Sequence, residues 1–124
     1  VHETSQVSVR VDDLTVIGET MAHLRATPPR TLGGRDVLSV DDLLDPDGPL
    51  PPTDGLRMGL DGGARVIVRP SGTEPKVKCY LEVVVPVGGH PDNASDDVAA
   101  ARDLAATSMD QLRLDVEALL RPPA

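Results

Sequence analysis

The first part of the chain changes from an alternating pattern to a helical one. Valine occupies every second position over residues 7–11, which predicts a half-buried strand over residues 6–11. Asp12 or Asp13 is the expected N-cap of a following helix, and Pro28 marks its end. Apolar residues recur three and four positions apart within that helix and form one stripe, made by Leu14, Ile17, Met21 and Leu24.

The middle of the chain predicts a short strand, a loop and a β-hairpin. Two glycines at 33–34 permit a turn before a short strand over residues 37–40. Residues 45–55 contain four prolines and two glycines, which is typical of an irregular surface loop. Apolar and polar residues then alternate on both sides of Asp-Gly-Gly at 61–63. This pattern predicts a hairpin with inward positions at Leu56, Met58, Leu60, Ala64, Val66 and Val68.

A further strand and a long helix complete the pattern. Apolar residues at every second position predict a strand over residues 77–85, and Gly-Gly at 88–89 ends the sheet. Asn93 or Ser95 can cap the last helix, whose apolar face comprises Val98, Ala105, Met109, Leu112, Val116, Leu119 and Leu120. The predicted fold class is therefore α+β, an antiparallel sheet of about four strands with two helices packed on one face.

Charge argues against one class of partner and favours another. The net charge of −8 opposes nucleic-acid binding, which needs a basic surface, and a single tyrosine offers little for base stacking. Between residues 57 and 78, however, there are five cations and two acids (Arg57, Arg65, Arg69, Lys76, Lys78; Asp61, Glu74). This local balance of +3 within an acidic chain indicates a focused site for a small anion.

Cysteine usage and hydropathy restrict the cellular setting. Cys79 is the only cysteine, so the chain forms no internal disulfide, and we expect a reducing, cytoplasmic compartment. No stretch approaches eighteen apolar residues, so we expect no membrane interaction. The sequence starts at Val1 without a signal-peptide pattern or an initiator methionine, and we expect it to be part of a longer protein.

The segment from Arg69 to Tyr80 concentrates the candidate chemistry. A turn made of Ser-Gly-Thr at 71–73 lies between two predicted strands, and such a turn can direct successive backbone N–H groups at one oxyanion. Arg69 offers a bidentate fork and Lys76 a mobile point charge. The same tetrapeptide is also an ordinary turn sequence, and Ser71 with Glu74 can form a capping-box pair without any ligand.

The string Arg-Pro-Ser-Gly-Thr-Glu-Pro-Lys at 69–76, followed by Lys78 and Tyr80, resembles the phosphate-binding loop of the α-D-phosphohexomutases. In that superfamily the loop belongs to the fourth and last domain, whose sheet is likened to one repeat of the TATA-binding protein. The resemblance implies that residues 12–124 are this phosphate-binding domain. Residues 1–11 would then be the end of the preceding domain or a hinge strand.

The resemblance also implies a set of site residues and their roles. Arg69, Ser71, Gly72 and Thr73 would hold the phosphate of the substrate that is not reacting, and Gly72 would allow close backbone approach. Lys76 is a further candidate ligand, although it can equally be a solvated charge on the strand face that it shares with Lys78 and Tyr80. Glu74 is expected to be structural, because a carboxylate would repel a phosphate.

Other parts of the family's machinery have no counterpart in this sequence. We find no phosphoserine loop, no Asp-x-Asp-x-Asp-Arg loop for Mg²⁺ and no Gly-Glu-x-Ser loop for the sugar. We therefore expect no catalytic residue or metal site here, an inactive isolated chain, and Mg²⁺ bound by the parent enzyme in a missing domain. The expected partners are a phosphosugar and the missing N-terminal domains of the same polypeptide.

The parent reaction implied by the family converts a hexose 1-phosphate into a hexose 6-phosphate in carbohydrate metabolism. The spacing of Lys76, Lys78 and Tyr80 resembles phosphomannomutases and phosphoglucomutases more than phosphoglucosamine mutases, although the latter stay an alternative. A second alternative, from another functional class, is a stand-alone anion-binding or interaction module without catalysis.

The remaining reactive residue types have structural interpretations. His2, His23 and His90 are scattered and are expected at the surface. Cys79 falls on the inward face of its predicted strand, which favours a buried, unreactive thiol. The aspartates of residues 45–54 lack the spacing of a calcium loop, so we expect a solvated loop there.

Overall fold

The computed structural model describes residues 1–11, 14–43, 54–71, 74–87 and 94–120. The secondary structure consists of six strands, two α-helices and one 3₁₀ turn among these residues. In chain order they are β1 His2–Arg10, α1 Leu14–Ala26, β2 Thr31–Leu32, β3 Arg35–Asp42, β4 Leu56–Leu60, the turn Asp61–Gly63, β5 Arg65–Pro70, β6 Lys76–Val84 and α2 Ala94–Leu120.

The strands form an antiparallel sheet in the order β1-β6-β5-β4-β3-β2. The α+β class is confirmed, but the sheet has six strands where the sequence predicted about four. Two strands account for the difference. β2 has only two residues, too few for an alternating pattern. The sequence predicts β1 as a strand over residues 6–11, at the end of a preceding domain or as a hinge strand, whereas it pairs within this sheet and begins earlier, in the polar stretch His2 to Ser5.

β1 is an integral edge strand of this sheet. It pairs with β6 along its whole length, from His2 opposite Val84 to Arg10 opposite Lys76. The Val11 N–H continues the contact by donating to the carbonyl oxygen of Pro75 at 2.8 Å. The division of the chain after residue 11 stays a prediction. In the structure, residues 2–10 form one edge of the sheet.

Both helices cover the same face of the sheet and share one hydrophobic core. The predicted stripe of α1 is buried at Ile17, Met21 and Leu24. The core side of the sheet and of α2 is formed by alternating strand positions and by helical positions three and four apart. These buried residues include Leu56, Met58, Val66, Val68, Val77, Leu81, Ala105, Met109, Leu112, Val116 and Leu120.

The other face of the sheet carries no helix in the described part of the chain and is polar. Residues directly opposite each other in neighbouring strands point to the same side, so register defines rows across this outer face. One row contains Gln6, Tyr80 and Ile67, and the next contains Ser8, Lys78 and Arg69. The outer face therefore displays the polar residues that alternate with the buried ones in β5 and β6.

The β2–β3 hairpin is fastened to the last helix at Gly33. Its N–H donates to Oδ2 of Asp115 at 2.7 Å, and Arg35 donates to the hydroxyl of Ser108 at 3.0 Å. Gly33 has a φ of +59°, and a Cβ there would lie 3.1 Å from the Cα of Leu112. The hairpin can approach α2 this closely only because residue 33 lacks a side chain.

Some predictions fall on residues that the structure does not describe. These are the caps at 12–13 and 93, most of the proline-rich loop, the glycines at 88–89, His90 and the prolines after the last helix. Ser95 lies inside α2, which begins at Ala94, so the alternative prediction that Ser95 precedes the helix as its cap is wrong. None of the described helices is both long and apolar enough to cross a bilayer.

Candidate anion-binding site

The site lies where β5 ends and the chain returns as β6. Backbone hydrogen bonds close the base of this loop: the Ser71 N–H donates to the Lys76 carbonyl at 2.9 Å, and the Lys76 N–H donates to the Glu74 carbonyl at 2.8 Å. Gly72 and Thr73, two of the predicted phosphate ligands, lie outside the described residues. The described part of the loop thus fixes Arg69, Ser71 and Lys76 relative to one another.

The hydroxyl of Ser71 makes the local contact that a capping-box pair would make. Its Oγ accepts a hydrogen bond from the backbone N–H of Glu74 at 3.4 Å, which is long for such a bond. A serine hydroxyl has one donor hydrogen in addition to its acceptor lone pairs, and this contact uses only the oxygen. The O–H of Ser71 therefore still has a donor to offer an oxyanion.

Two cations face each other beside this loop. Arg69 on β5 is directly opposite Lys78 on β6, and both project from the outer face of the sheet. Neither side chain makes a hydrogen bond or a close ion pair among the described residues, although the charge of Lys78 contributes to the lowered pKa of Glu74. Like charges opposite each other repel, and an anion between them would convert that repulsion into attraction.

Lys76 has a different environment, because it is paired with an acid. Its Nζ lies 3.2 Å from Oε2 of Glu74, and Arg10 of β1 reaches the same oxygen at 3.5 Å. The hydrogen bond and charge of Lys76 lower the pKa of Glu74, with smaller contributions from Arg10 and Lys78. Glu74 is thus ionised at neutral pH and neutralises part of the charge that Lys76 would offer a ligand.

Sequence reasoning did not assign two residues of this arrangement. The sequence assigns Lys78 no role, because its position opposite Arg69 depends on strand register. Gly55 lies at the end of the predicted proline-rich loop, and nothing in the sequence indicates its contact with Arg69. A Cβ on Gly55 would lie 2.9 Å from the carbonyl oxygen of Val68 and 3.2 Å from Cγ of Arg69. The aliphatic stem of Arg69 therefore packs against a position where only glycine fits without displacing its neighbours.

The other reactive side chains lie apart from this loop. Cys79 is fully buried, as predicted, and burial raises its pKa to about 12, so its thiol is not a nucleophile near neutral pH. His2 is exposed and lies 3.2 Å from Glu82, and His23 is exposed on α1. No group of three or more potential metal ligands occurs within the described ranges.

Comparison with known proteins gives the site a family context. The sequence model of the family "Phosphoglucomutase/phosphomannomutase, C-terminal domain" matches residues 7–105. A probable phosphomannomutase from Haemophilus influenzae is 43% identical over 81 residues, which are 65% of this chain and 16% of that protein. A phosphoglucomutase from Staphylococcus aureus strain MSSA476 is 32% identical over 96 residues, 66% of this chain and 17% of that protein.

A solved structure is also similar to this chain. It is the open form of the exocytosis-sensitive phosphoprotein pp63/parafusin, a phosphoglucomutase from Paramecium. The match has 17% sequence identity and a TM-score of 0.45, and covers 90% of this chain and 21% of that one. In each of these comparisons the chain corresponds to a small part of a longer protein.

Proposed function

Since the chain belongs to the family of phosphoglucomutase and phosphomannomutase C-terminal domains, we propose that it binds the non-reacting phosphate of a phosphosugar, as the last module of a phosphosugar mutase. The observation that carries this proposal is the Arg69–Lys78 pair, two cations on one sheet face that make no close ion pair in the described part of the chain. A phosphate would supply the charge that this pair lacks.

Each described residue of the site would make a distinct contribution to phosphate binding. Arg69 presents a planar fork that can donate two parallel hydrogen bonds to two phosphate oxygens. Lys78 adds a compact positive charge from the opposite strand, and Ser71 adds a hydroxyl donor. Lys76 contributes less, because Glu74 already neutralises part of its charge. Gly72 and Thr73 complete the loop in this proposal on the strength of the family resemblance.

Binding a remote phosphate can assist a reaction that occurs elsewhere on the substrate. The binding energy fixes the position of the sugar relative to the reacting groups, so fewer orientations are sampled before phosphoryl transfer. In the longer protein we propose an intramolecular exchange between hexose 1-phosphate and hexose 6-phosphate. Either phosphate could then occupy this site in turn while the other reacts.

The reacting groups themselves are proposed to lie outside this chain. The described residues contain no group of three or more potential metal ligands, so we propose that Mg²⁺ binds in another part of the longer protein. For the same reason we expect the isolated chain to bind phosphosugars without converting them. A cytoplasmic location stays a proposal that rests on the use of a single cysteine.

The proposed function is tested by titrating the chain with inorganic phosphate while following backbone amides by NMR. We expect shifts concentrated at residues 69–78, and loss of binding in Arg69→Ala. Arg57→Ala is the matched control, because Arg57 also lies on the outer face but is paired with Asp41 at 3.1 Å. Equal phosphate binding by the wild type and Arg69→Ala would contradict the assignment.

A further inference from the structure

A depression lies on the outer face of the sheet, two residues along the strands from the Arg69–Lys78 pair. Its volume is about 390 Å³. Three adjacent strands contribute the side chains around it, with Thr4 and Gln6 from β1, Arg65 and Ile67 from β5, and Tyr80 and Glu82 from β6. We refer to it as the Tyr80 depression.

Strand register fixes the distance between the Tyr80 depression and the cation pair. Tyr80 is directly opposite both Gln6 and Ile67, whereas Lys78 is directly opposite Arg69. Tyr80 and Lys78 are two residues apart on one strand, which corresponds to about 7 Å at the usual rise of a strand. A group attached to a phosphate at the cation pair would therefore have to extend by about the length of one pyranose ring to cover Tyr80.

The depression combines an apolar floor with polar groups at its border, which is the combination that a sugar ring requires. Tyr80 is 41% exposed, and Ile67, opposite it on β5, is half-buried, so the floor is largely apolar. Gln6 and Thr4 place an amide and a hydroxyl at its border, where they can donate to or accept from sugar hydroxyls. An apolar floor with a few polar groups at the edge is the usual composition of a small-molecule site.

The acid at the far end of the depression is held in place and ionised. Glu82 accepts hydrogen bonds from Arg65, and His2 lies 3.2 Å away. Hydrogen bonding by Arg65, and secondarily by His2, lowers the pKa of Glu82. Because Arg65 offsets its charge, this carboxylate can accept a hydrogen bond from a hydroxyl without strongly repelling an anionic ligand whose phosphate lies at the opposite end.

An exposed tyrosine alone would not indicate a ligand, since solvated faces of antiparallel sheets often carry one. What distinguishes Tyr80 is its place in a row next to two cations, Arg69 and Lys78, that make no close ion pair among the described residues. The outer face therefore changes, over two residues of strand, from an anion-attracting surface to an apolar one with polar edges. A phosphosugar has the same two parts in the same order.

We propose that the Tyr80 depression receives the pyranose ring of a hexose phosphate whose phosphate is bound by Arg69 and Lys78. This inference rests on the proposed phosphate-binding function and adds a sugar contact within this chain. Tyr80 packs against the C–H face of the ring, and Gln6 and Thr4 meet hydroxyls at its edge. Such contacts strengthen binding of hexose phosphates as a class and do not depend on which hexose is present.

The test compares two phosphate monoesters of equal charge, glucose 1-phosphate and methyl phosphate, by calorimetric titration of the 124-residue chain. We expect the wild type to bind glucose 1-phosphate several-fold more tightly. Tyr80→Ala should bring the ratio of the two affinities close to one without changing the affinity for methyl phosphate. Tyr80→Phe should keep most of the preference for glucose 1-phosphate. Leu38→Ala, a truncation of a side chain that is 68% exposed on β3, serves as the control and should change neither affinity.

The outcomes separate the two proposals. If methyl phosphate binds in an Arg69-dependent way but glucose 1-phosphate binds no more tightly, the sugar contact is wrong and phosphate binding stands. A ratio that survives Tyr80→Ala also overturns the sugar contact. If neither monoester binds, the proposed function fails, and this inference fails with it. Saturation transfer from the Tyr80 ring protons to the C–H protons of glucose 1-phosphate is the expected spectroscopic result.

Discussion

Arg69 and Lys78 lie directly opposite each other on neighbouring strands and share the outer face of the sheet. Cross-strand pairs of like charge destabilise a sheet unless something compensates them. The outer-face cations Arg57, Arg65, Lys76 and Arg10 are each in a close ion pair, with Asp41, with Glu82 and, for the last two, with Glu74. Arg69 and Lys78 make no such pair among the described residues, so an anionic ligand would be most stabilising there.

Removing the negative charge of Glu74 should strengthen phosphate binding. Glu74 neutralises part of the charge of Lys76 and Arg10, and its carboxylate would repel a phosphate at the loop. We expect Glu74→Gln to increase the affinity for inorganic phosphate about three- to tenfold. Calorimetric titration measures this, and Glu117→Gln at a half-buried position of α2 is a control with the same chemical change. A weaker affinity in Glu74→Gln would mean that Glu74 supports the loop more than it competes with the ligand.

Acid should destabilise the fold partly through Glu82. The pKa of Glu82 is lower in the folded protein than its ordinary value of 4.5. Ionised Glu82 therefore contributes stability that is fully present above pH 4.5 and is lost as the pH falls through the lowered pKa. The free energy of unfolding, measured with urea between pH 6 and pH 3, should therefore fall less steeply in Glu82→Gln than in the wild type. Identical pH profiles would show that the Arg65 and His2 contacts have no effect on stability.

The two neighbouring glycines of the β2–β3 turn should respond differently to alanine. Both have positive φ, +59° at Gly33 and +74° at Gly34, but only a Cβ at Gly33 would meet α2, at 3.1 Å from the Cα of Leu112. We expect Gly34→Ala to cost about 1–2 kcal/mol from backbone strain alone. Gly33→Ala should cost more, because it also displaces the hairpin and weakens the bond to Asp115. Urea unfolding of both variants compares the two costs, and equal losses would contradict the close approach.

The single thiol should be unreactive while the protein is folded. Cys79 is fully buried, and its pKa of about 12 leaves very little thiolate at pH 8. We expect a thiol reagent such as 5,5′-dithiobis(2-nitrobenzoate) to modify it only as fast as the chain unfolds, with rapid reaction in urea. Rapid modification of the native chain would show that β6 is accessible from the core side.

Short-range patterns in the sequence predict much of this fold. Alternation identifies β4, β5 and most of β6, and the three-and-four spacing identifies the buried stripes of both helices, because these patterns depend only on which side of an element is buried. The two-residue β2 and the polar start of β1 show no such pattern, since they are ordered by pairing with strands already present. The hairpin's attachment to α2 through Gly33 likewise depends on tertiary contacts.

The candidate site divides in the same way. Arg69, Ser71 and Lys76 belong to one contiguous string, so their grouping can be predicted from the sequence. The role of Lys78 depends on strand register. Glu74, which pairs with its neighbour Lys76, also pairs with Arg10, a residue more than sixty positions earlier in the chain. Gly55 is identified only by its contact with Arg69. Sequence reasoning therefore located the loop but could not separate the paired lysine from the unpaired one.

The most direct test of the central claim is the affinity of Lys78→Ala for inorganic phosphate, measured beside Lys76→Ala. These are the only two lysines, they lie two residues apart on one strand face, and only Lys76 forms a close ion pair with an acid in the described part of the chain. If Arg69 and Lys78 together hold the anion, Lys78→Ala should lower the affinity for phosphate about tenfold or more, which is the effect of losing a hydrogen bond to a charged group. Lys76→Ala should lower the affinity clearly less. If Lys78→Ala binds phosphate as tightly as the wild type, the cation pair is not the binding site.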